Sequence, residues 1–390
     1  MGRLVVIPPL PAVRQADGRV VLTRKFIEGM TSYAEAWDDR VIAVMNEVPE
    51  PTQNLDNVAV DPAALPFGVE VLPFELTAVA ARVAGAGVVL GGCHHRLHGF
   101  TAKCRKMGVP CVHNTEYSVR TRLQIVFCSG EGRLRQLRRA GWLLKEEYLH
   151  ERNELRGAVG LQANGTPTYE AYRDLTPHPL LYFDNRVSMN EMASDEQLAR
   201  VNAVRRKGEP LRLAFSGRLH AIKGVGELVE VAAALRRRGV DFQLEIFGSG
   251  PEESALRRDI ERRGLSRHVR LCGVLDFHSQ LLPHMRDRVD LFVCCHLQGD
   301  PSCTYLETAA AGVPIAGYAN EAFAGLLRQA PIGWSVPLRR ADELAALIAR
   351  LDRTRGEIAQ YAEQALRFAR QHSFELTFER RIQHLRSLSR

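Results

Sequence analysis

Between Arg212 and Gly317 short apolar runs alternate with amphipathic stretches, and two charged signatures follow directly on apolar runs. This order constrains the fold more than any other feature. Strands apolar on both faces are buried on both faces, and helices crossing between them leave polar residues only at the sheet's edges. The first signature is Ser216-Gly217-Arg218-Leu219-His220-Ala221-Ile222-Lys223-Gly224. It comes after the run Leu211 to Phe215 and before Leu228, Val231, Ala232 and Leu235, which share one face at helical spacing. The second signature is Asp300-Pro301-Ser302-Cys303-Thr304-Tyr305-Leu306-Glu307-Thr308-Ala309-Ala310-Ala311-Gly312-Val313-Pro314, after the apolar run Asp290 to Cys295. Here Asp300 reads as an N-cap with Pro301 at the first helical position, and Gly312 closes the helix.

Open α/β sheets present ligand sites at the carboxyl ends of their strands, where both signatures fall. Arg218 can grip an oxygen pair in two parallel hydrogen bonds and Lys223 adds a compact charge, so a diphosphate fits better than a single carboxylate. A helix starting at Asp300-Pro301 would add free backbone N–H groups to the same anion site. Glu307 accepts hydrogen bonds only, which suits a pair of ribose hydroxyls. Together they read as a site for a nucleoside diphosphate group.

Gly217-Arg218-Leu219 with Lys223-Gly224, then Phe247-Gly248-Ser249-Gly250-Pro251, then Leu306-Glu307 with Ala311-Gly312-Val313-Pro314, resemble in order and spacing the donor half of retaining glycosyltransferase family 4. The resemblance covers roughly half the chain and implies an α/β protein of GT-B fold, with two doubly wound Rossmann-like domains facing a central cleft. It implies an acceptor-binding domain over 1–185, a nucleotide-sugar donor domain over 186–370, and a tail helix over 371–390 packing back on the first domain. By the resemblance Arg218 and Lys223 serve catalysis at the donor diphosphate, Gly217, Asp300, Ser302 and Glu307 bind the donor, and Glu307 takes the ribose. The donor is of UDP or GDP type, with no cofactor and no metal. One position departs from the pattern. The family's first glutamate aligns with Gly299, flanked by Gln298 and Asp300, and Asp300 is the residue at hand to take over part of its role.

The 390 residues suffice for two domains, and a hydrophobic content of 45% supports full cores without disulfides. Eight cysteines include no C-x-x-C pair, which favours reduced, buried thiols in a cytoplasmic protein. Cys93-His94-His95 has no second ligand pair at metal spacing and reads as loop or core packing. The segment Leu4 to Leu10 is broken by Pro8 and Pro9 and is not a signal peptide, and no apolar stretch reaches the ~20 residues of a membrane span. Expected N-terminal elements are strands at Leu4 to Ile7, Arg40 to Val44, Gly68 to Leu72, Gly87 to Gly91 and Val109 to His113, with a helix from Leu22 to Trp37. Polar residues from Tyr182 to Pro210 mark an interdomain linker, and Phe374 to Leu388 forms an amphipathic helix.

His113 ends a predicted strand and resembles the family histidine that faces the acceptor. It is either the group that takes the acceptor's proton or a histidine that only bonds a neighbouring loop. Glu116 and Arg120 are candidates for acceptor contacts or a solvated ion pair. Net charge is +7, and Arg133, Arg135, Arg138 and Arg139 cluster among leucines, as for a helix lying on an anionic membrane at the inner face or a solvated helix packing its leucines inward. No nucleic-acid motif accompanies them. The expected activity is transfer of a sugar to a sugar or lipid-linked acceptor in polysaccharide, glycolipid or other glycoconjugate biosynthesis. A nucleotide-sugar epimerase of the same fold and a non-catalytic nucleotide-sugar-binding subunit are the alternatives. Gly248-x-Gly250-Pro251 lacks a dinucleotide fingerprint's third glycine, which disfavours an oxidoreductase.

Overall fold

The computed structural model of the chain describes residues 2–52, 56–205 and 209–390. These fall into two compact units: Met1–Val119 with Leu137–Tyr182 and Leu376–Arg390, and Arg120–Gln136 with Phe183–Glu375. The segment Arg120–Gln136, inside the expected first domain, groups with the second unit.

The first unit is built on an all-parallel sheet of β1 (Leu4–Ile7), β2 (Val41–Asn46), β3 (Gly68–Leu72), β4 (Val88–Gly91), β5 (Cys111–Thr115), β6 (Gly160–Asn164) and β7 (Pro179–Tyr182), in the order β7-β6-β5-β4-β1-β2-β3. β1 and β4 are buried along their whole length, as their unbroken apolar sequences require. A small antiparallel sheet of Val13–Arg14, Val20–Thr23 and Asn57–Val60 was not expected. Its first two strands join across Asp17-Gly18, where Gly18 takes φ 87°. The helix Arg24–Ala36 starts two residues later than expected, because Val20–Thr23 is strand and the Thr23 hydroxyl caps the helix by accepting from Phe26 N at 3.2 Å. Tyr33 of that helix meets Phe378 of the terminal helix Phe374–Leu388 edge-on at 5.3 Å. Arg381 follows, exchanging hydrogen bonds with Gln162 of β6 (Nε to Oε1, 2.9 Å) and lying 4.3 Å over the Tyr182 ring.

The second unit has its own all-parallel sheet of β8 (Leu211–Ser216), β9 (Phe242–Phe247), β10 (Val269–Gly273), β11 (Leu291–Cys294), β12 (Ile315–Tyr318) and β13 (Gly333–Val336), ordered β10-β9-β8-β11-β12-β13. The strand order reverses between β8 and β11, so loops from the two diverge at the carboxyl edge and leave a crevice. The polar span read as a linker proves to be largely structured. It holds the helix Asp195–Arg205, whose last residue is fully buried and pairs Nε with Asp290 Oδ1 at 3.2 Å. Burial lowers the Arg205 pKa to about 10, against the pull of Asp290 in the other direction. Arg206, Lys207 and Gly208 lie outside the described residues.

Candidate functional site

Three loops meet at the carboxyl ends of β8, β9 and β11. Gly217 N donates to Phe247 O at 3.1 Å, Leu219 N to Ser249 O at 2.8 Å, and Leu297 N to Ile222 O at 3.0 Å. Two glycines allow the approach. A Cβ at Gly248 would stand 1.9 Å from Gly217 O, and one at Gly224 would stand 1.9 Å from Cys295 O, so any side chain at either position would drive the loops apart. Both also have φ in the left-handed range, at 129° and 64°.

Within this frame Lys223 is 6% exposed and donates from Nζ to Asp300 Oδ2 at 2.7 Å. Gln298 Nε2 donates to the same carboxylate oxygen at 3.2 Å. Asp300 is therefore not the expected helix cap. Its carboxylate is held by the lysine, Ser302 N turns back to Asp300 O at 2.8 Å, and the helix begins only at Thr304, running to Ala310. Gly312 with φ 67° follows its C-cap Ala311 and closes it as expected. Ser302 turns its hydroxyl to Thr304 Oγ1 at 3.1 Å. Arg218 is exposed and has no hydrogen bond or ion pair from its side chain among the described residues.

Glu307 lies in the first turn of the helix, nearer its start than expected, and is 8% exposed. Its Oε1 accepts from Arg186 Nε at 2.7 Å, and the Arg186 guanidinium lies 3.6 Å over the Phe277 ring. Sequence reasoning missed Arg186, because nothing local to Asn185-Arg186-Val187 reports a partner 121 positions away.

Beside the Lys223–Asp300 pair two buried side chains carry unpartnered polar atoms, His296 Nε2 and Gln298 Oε1. Burial, with Lys223 adding to it, pushes the His296 pKa well below the ordinary value, so the ring is neutral and able to donate or accept one hydrogen bond.

Gly299, where the resemblance puts a glutamate, is enclosed by other elements of the same unit. Gln124 Oε1 accepts from Gly299 N at 2.8 Å, and Thr121 Oγ1 donates to Gly299 O at 3.2 Å. A Cβ here would collide with the Glu321 carboxylate. Glu321 in turn accepts from Gln124 Nε2 at 3.3 Å and pairs with Arg120 Nε at 2.6 Å. Arg120 thus pairs with Glu321 inside the second unit, while Glu116 is exposed in the first unit.

His113 on β5 is 1% exposed. Its Nε2 is 2.8 Å from Thr101 Oγ1 and its Nδ1 3.7 Å from Cys93 Sγ, and burial lowers its pKa. Both ring nitrogens are thus engaged within the first unit in this arrangement.

The basic helix Arg133–Glu146 turns Ala140 and Leu143 inward and leaves Leu134 (73%), Leu137 (62%), Trp142 and Leu144 exposed beside Arg133, Arg135, Arg138 and Arg139. Its leucines are therefore mostly not packed inward. No helix among the described residues is long and apolar enough to cross a membrane.

Residues 199–368 match the family model described as glycosyl transferases group 1. The colanic acid biosynthesis glycosyltransferase WcaL of Salmonella typhimurium is 27% identical over 174 residues, 43% of this chain and 42% of that protein. The amylovoran biosynthesis glycosyltransferase AmsK of Erwinia amylovora is 27% identical over 157 residues, 38% of each. The chain thus spans about two-fifths of the length of these relatives. Among solved structures Anabaena HepE in complex with UDP superposes with TM-score 0.68 at 15% identity, covering 99% of this chain and all of that one. That likeness shows the fold: two parallel-sheet Rossmann-like units of the GT-B type.

Proposed function

We propose that this chain is a retaining glycosyltransferase that moves a sugar from a nucleoside-diphosphate sugar to an acceptor hydroxyl in polysaccharide or related glycoconjugate biosynthesis. The observation that carries the reading is that the loop after β8 bears both an exposed Arg218, without a side-chain partner among the described residues, and a buried Lys223, and is pinned to its neighbours at the strand-order reversal of the second unit. Support comes also from the family match over 199–368, from relatives named for polysaccharide biosynthesis, and from HepE, which binds UDP.

In this reading the donor's diphosphate lies against Arg218 and Lys223, and Glu307 turns from Arg186 to the ribose hydroxyls. The bond from the sugar's anomeric carbon to the diphosphate oxygen breaks, and the two cations stabilise the charge that develops there, in the place of a divalent metal. The acceptor oxygen bonds to that carbon on the face the diphosphate leaves, which retains configuration. Its proton goes to the departing phosphate oxygen, since His113 has no free nitrogen to receive it. Glu321 rather than Asp300 fills the space beside Gly299, and in this reading it replaces the absent first glutamate near the donor sugar. The helix Arg133–Glu146 places its leucines and arginines on an anionic membrane, at the cytoplasmic face where a lipid-linked acceptor would be met.

The test is release of free nucleotide from a panel of UDP- and GDP-sugars, with and without membrane lipid extract. Acceptor-dependent release of one nucleotide, with an anomerically retained product, supports the reading. Acceptor-independent formation of an altered sugar would replace it with an epimerase, and binding without release with a non-catalytic subunit.

A further inference from the structure

We infer that His98, Glu146 and His150 of the first unit form a binding site for one first-row divalent cation, with zinc the best-matched ion. The three ligand atoms all lie within 4.8 Å of one another. His98 Nε2 stands 2.7 Å from Glu146 Oε2, and the His98 and His150 rings stack face to face with centroids 3.7 Å apart and planes 5° from parallel. Two imidazoles and a carboxylate are the nitrogen and oxygen set that zinc takes at three protein positions, leaving a fourth for water or another ligand. Tetrahedral ligands around zinc stand about 3.3 Å apart, so closure on an ion asks the His98–Glu146 pair to open by roughly 0.6 Å, the wider separations to close, and the stacked rings to rotate until both planes contain the ion.

The backbone around the cluster is shaped to hold it. Glu146 ends the helix Arg133–Glu146, and the chain continues through one π-helical stretch, Glu147–Glu151, which carries His150. Such stretches are rare and gather at functional sites. The next residue, Glu147, is buried and fixed by the Tyr172 hydroxyl at 3.0 Å and by Arg152 at 3.4 Å. The loop carrying His98 is fastened from the same side, since the Glu154 carboxylate accepts from Gly99 N and, at 2.8 Å, from Thr101 N. Both ligand-bearing segments are thus tied to the helix Arg152–Gly157, which gives the preformed support that metal ligands need. An open groove of about 410 Å³ is lined by His150 and Glu154 and gives access to the cluster from the His150 side. His98 and His150 are half-buried while Glu146 is buried, with its carboxylate held against the His98 ring. An ion here would clamp the loop after β4 to the helical segment that follows Arg133–Glu146, both within the first unit.

The test uses full-length protein stripped by chelation and titrated with Co²⁺, followed by its visible d–d absorption, by metal content per chain and by competition with Zn²⁺. The expected result is one Co²⁺ per chain, displaced by Zn²⁺, with affinity reduced at least about 100-fold in His98→Ala and in His150→Ala and about 10-fold or more in Glu146→Gln. The neighbouring His95→Ala should bind as the unaltered protein does. Absence of stoichiometric uptake by the unaltered protein overturns the inference whatever the variants do. So does uptake that survives His98→Ala combined with His150→Ala, or uptake that His95→Ala alone abolishes.

Discussion

Arg218 and Lys223 test the proposed donor site in different ways because their surroundings differ. Arg218 is exposed and unpartnered among the described residues, so Arg218→Ala should lower kcat by about 10²–10³ with Tm unchanged. Lys223→Ala should lower kcat as much, and it should also lose about 1–3 kcal/mol of stability, because the partly buried Asp300 loses its ammonium partner and keeps Gln298. Turnover rates and melting curves on both variants check this, and unchanged turnover in both removes the site. For Glu307, calorimetric titration of UDP into Glu307→Gln should show affinity down by roughly tenfold, and the loss should vanish for a dideoxyribose analogue. Both cations were legible in the sequence because their spacing from a strand end is local. The role of Asp300 was misread for the opposite reason. Its capping pattern is local, but the Lys223 ammonium that captures its carboxylate comes from a loop 77 positions away.

Elements were legible wherever burial dictated sequence. The continuous apolar runs at β1 and β4, and the run at β8 broken only by Arg212, match the observed strands to within a residue or so. Less was legible where a strand is short or half exposed, as in the sheet of Val13–Arg14, Val20–Thr23 and Asn57–Val60, although Asp17-Gly18 carried a hairpin signal. The helix Arg133–Glu146 showed its composition but not which leucines face out, since Leu134 and Leu143 differ only in what the fold brings against them. Its exposed leucines bear the membrane reading. Leu134→Asp with Leu137→Asp should abolish co-sedimentation with vesicles containing anionic lipid and leave Tm unchanged, because neither side chain is in the core. Vesicle binding that survives the double substitution would assign this helix another purpose.

At the scale of the whole chain, burial lowers the pKa of His94 (to about 4), His113, His296 and His384. Below about pH 6.5 the unfolded chain therefore takes up protons that the folded chain refuses, so stability falls with falling pH there and levels off above it. Calorimetry in the presence of EDTA should find Tm declining steadily from pH 7 to pH 5, and a flat profile would mean that these rings are not held neutral. The metal dependence should divide by unit. UDP affinity should be the same with EDTA or with magnesium, whereas zinc should raise Tm through His98, Glu146 and His150. The grouping of Arg120–Gln136 with the second unit matters for how such proteins diversify. Gln124 and Thr121 satisfy the backbone of Gly299 from a stretch encoded far upstream of the donor signatures. A recombination event that exchanged only the carboxyl-terminal half would import a Gly299 loop and leave its matching Gln124 and Thr121 behind. Exchanging this loop between proteins of the same fold therefore requires carrying two separated gene segments together, or arriving at it by point substitution.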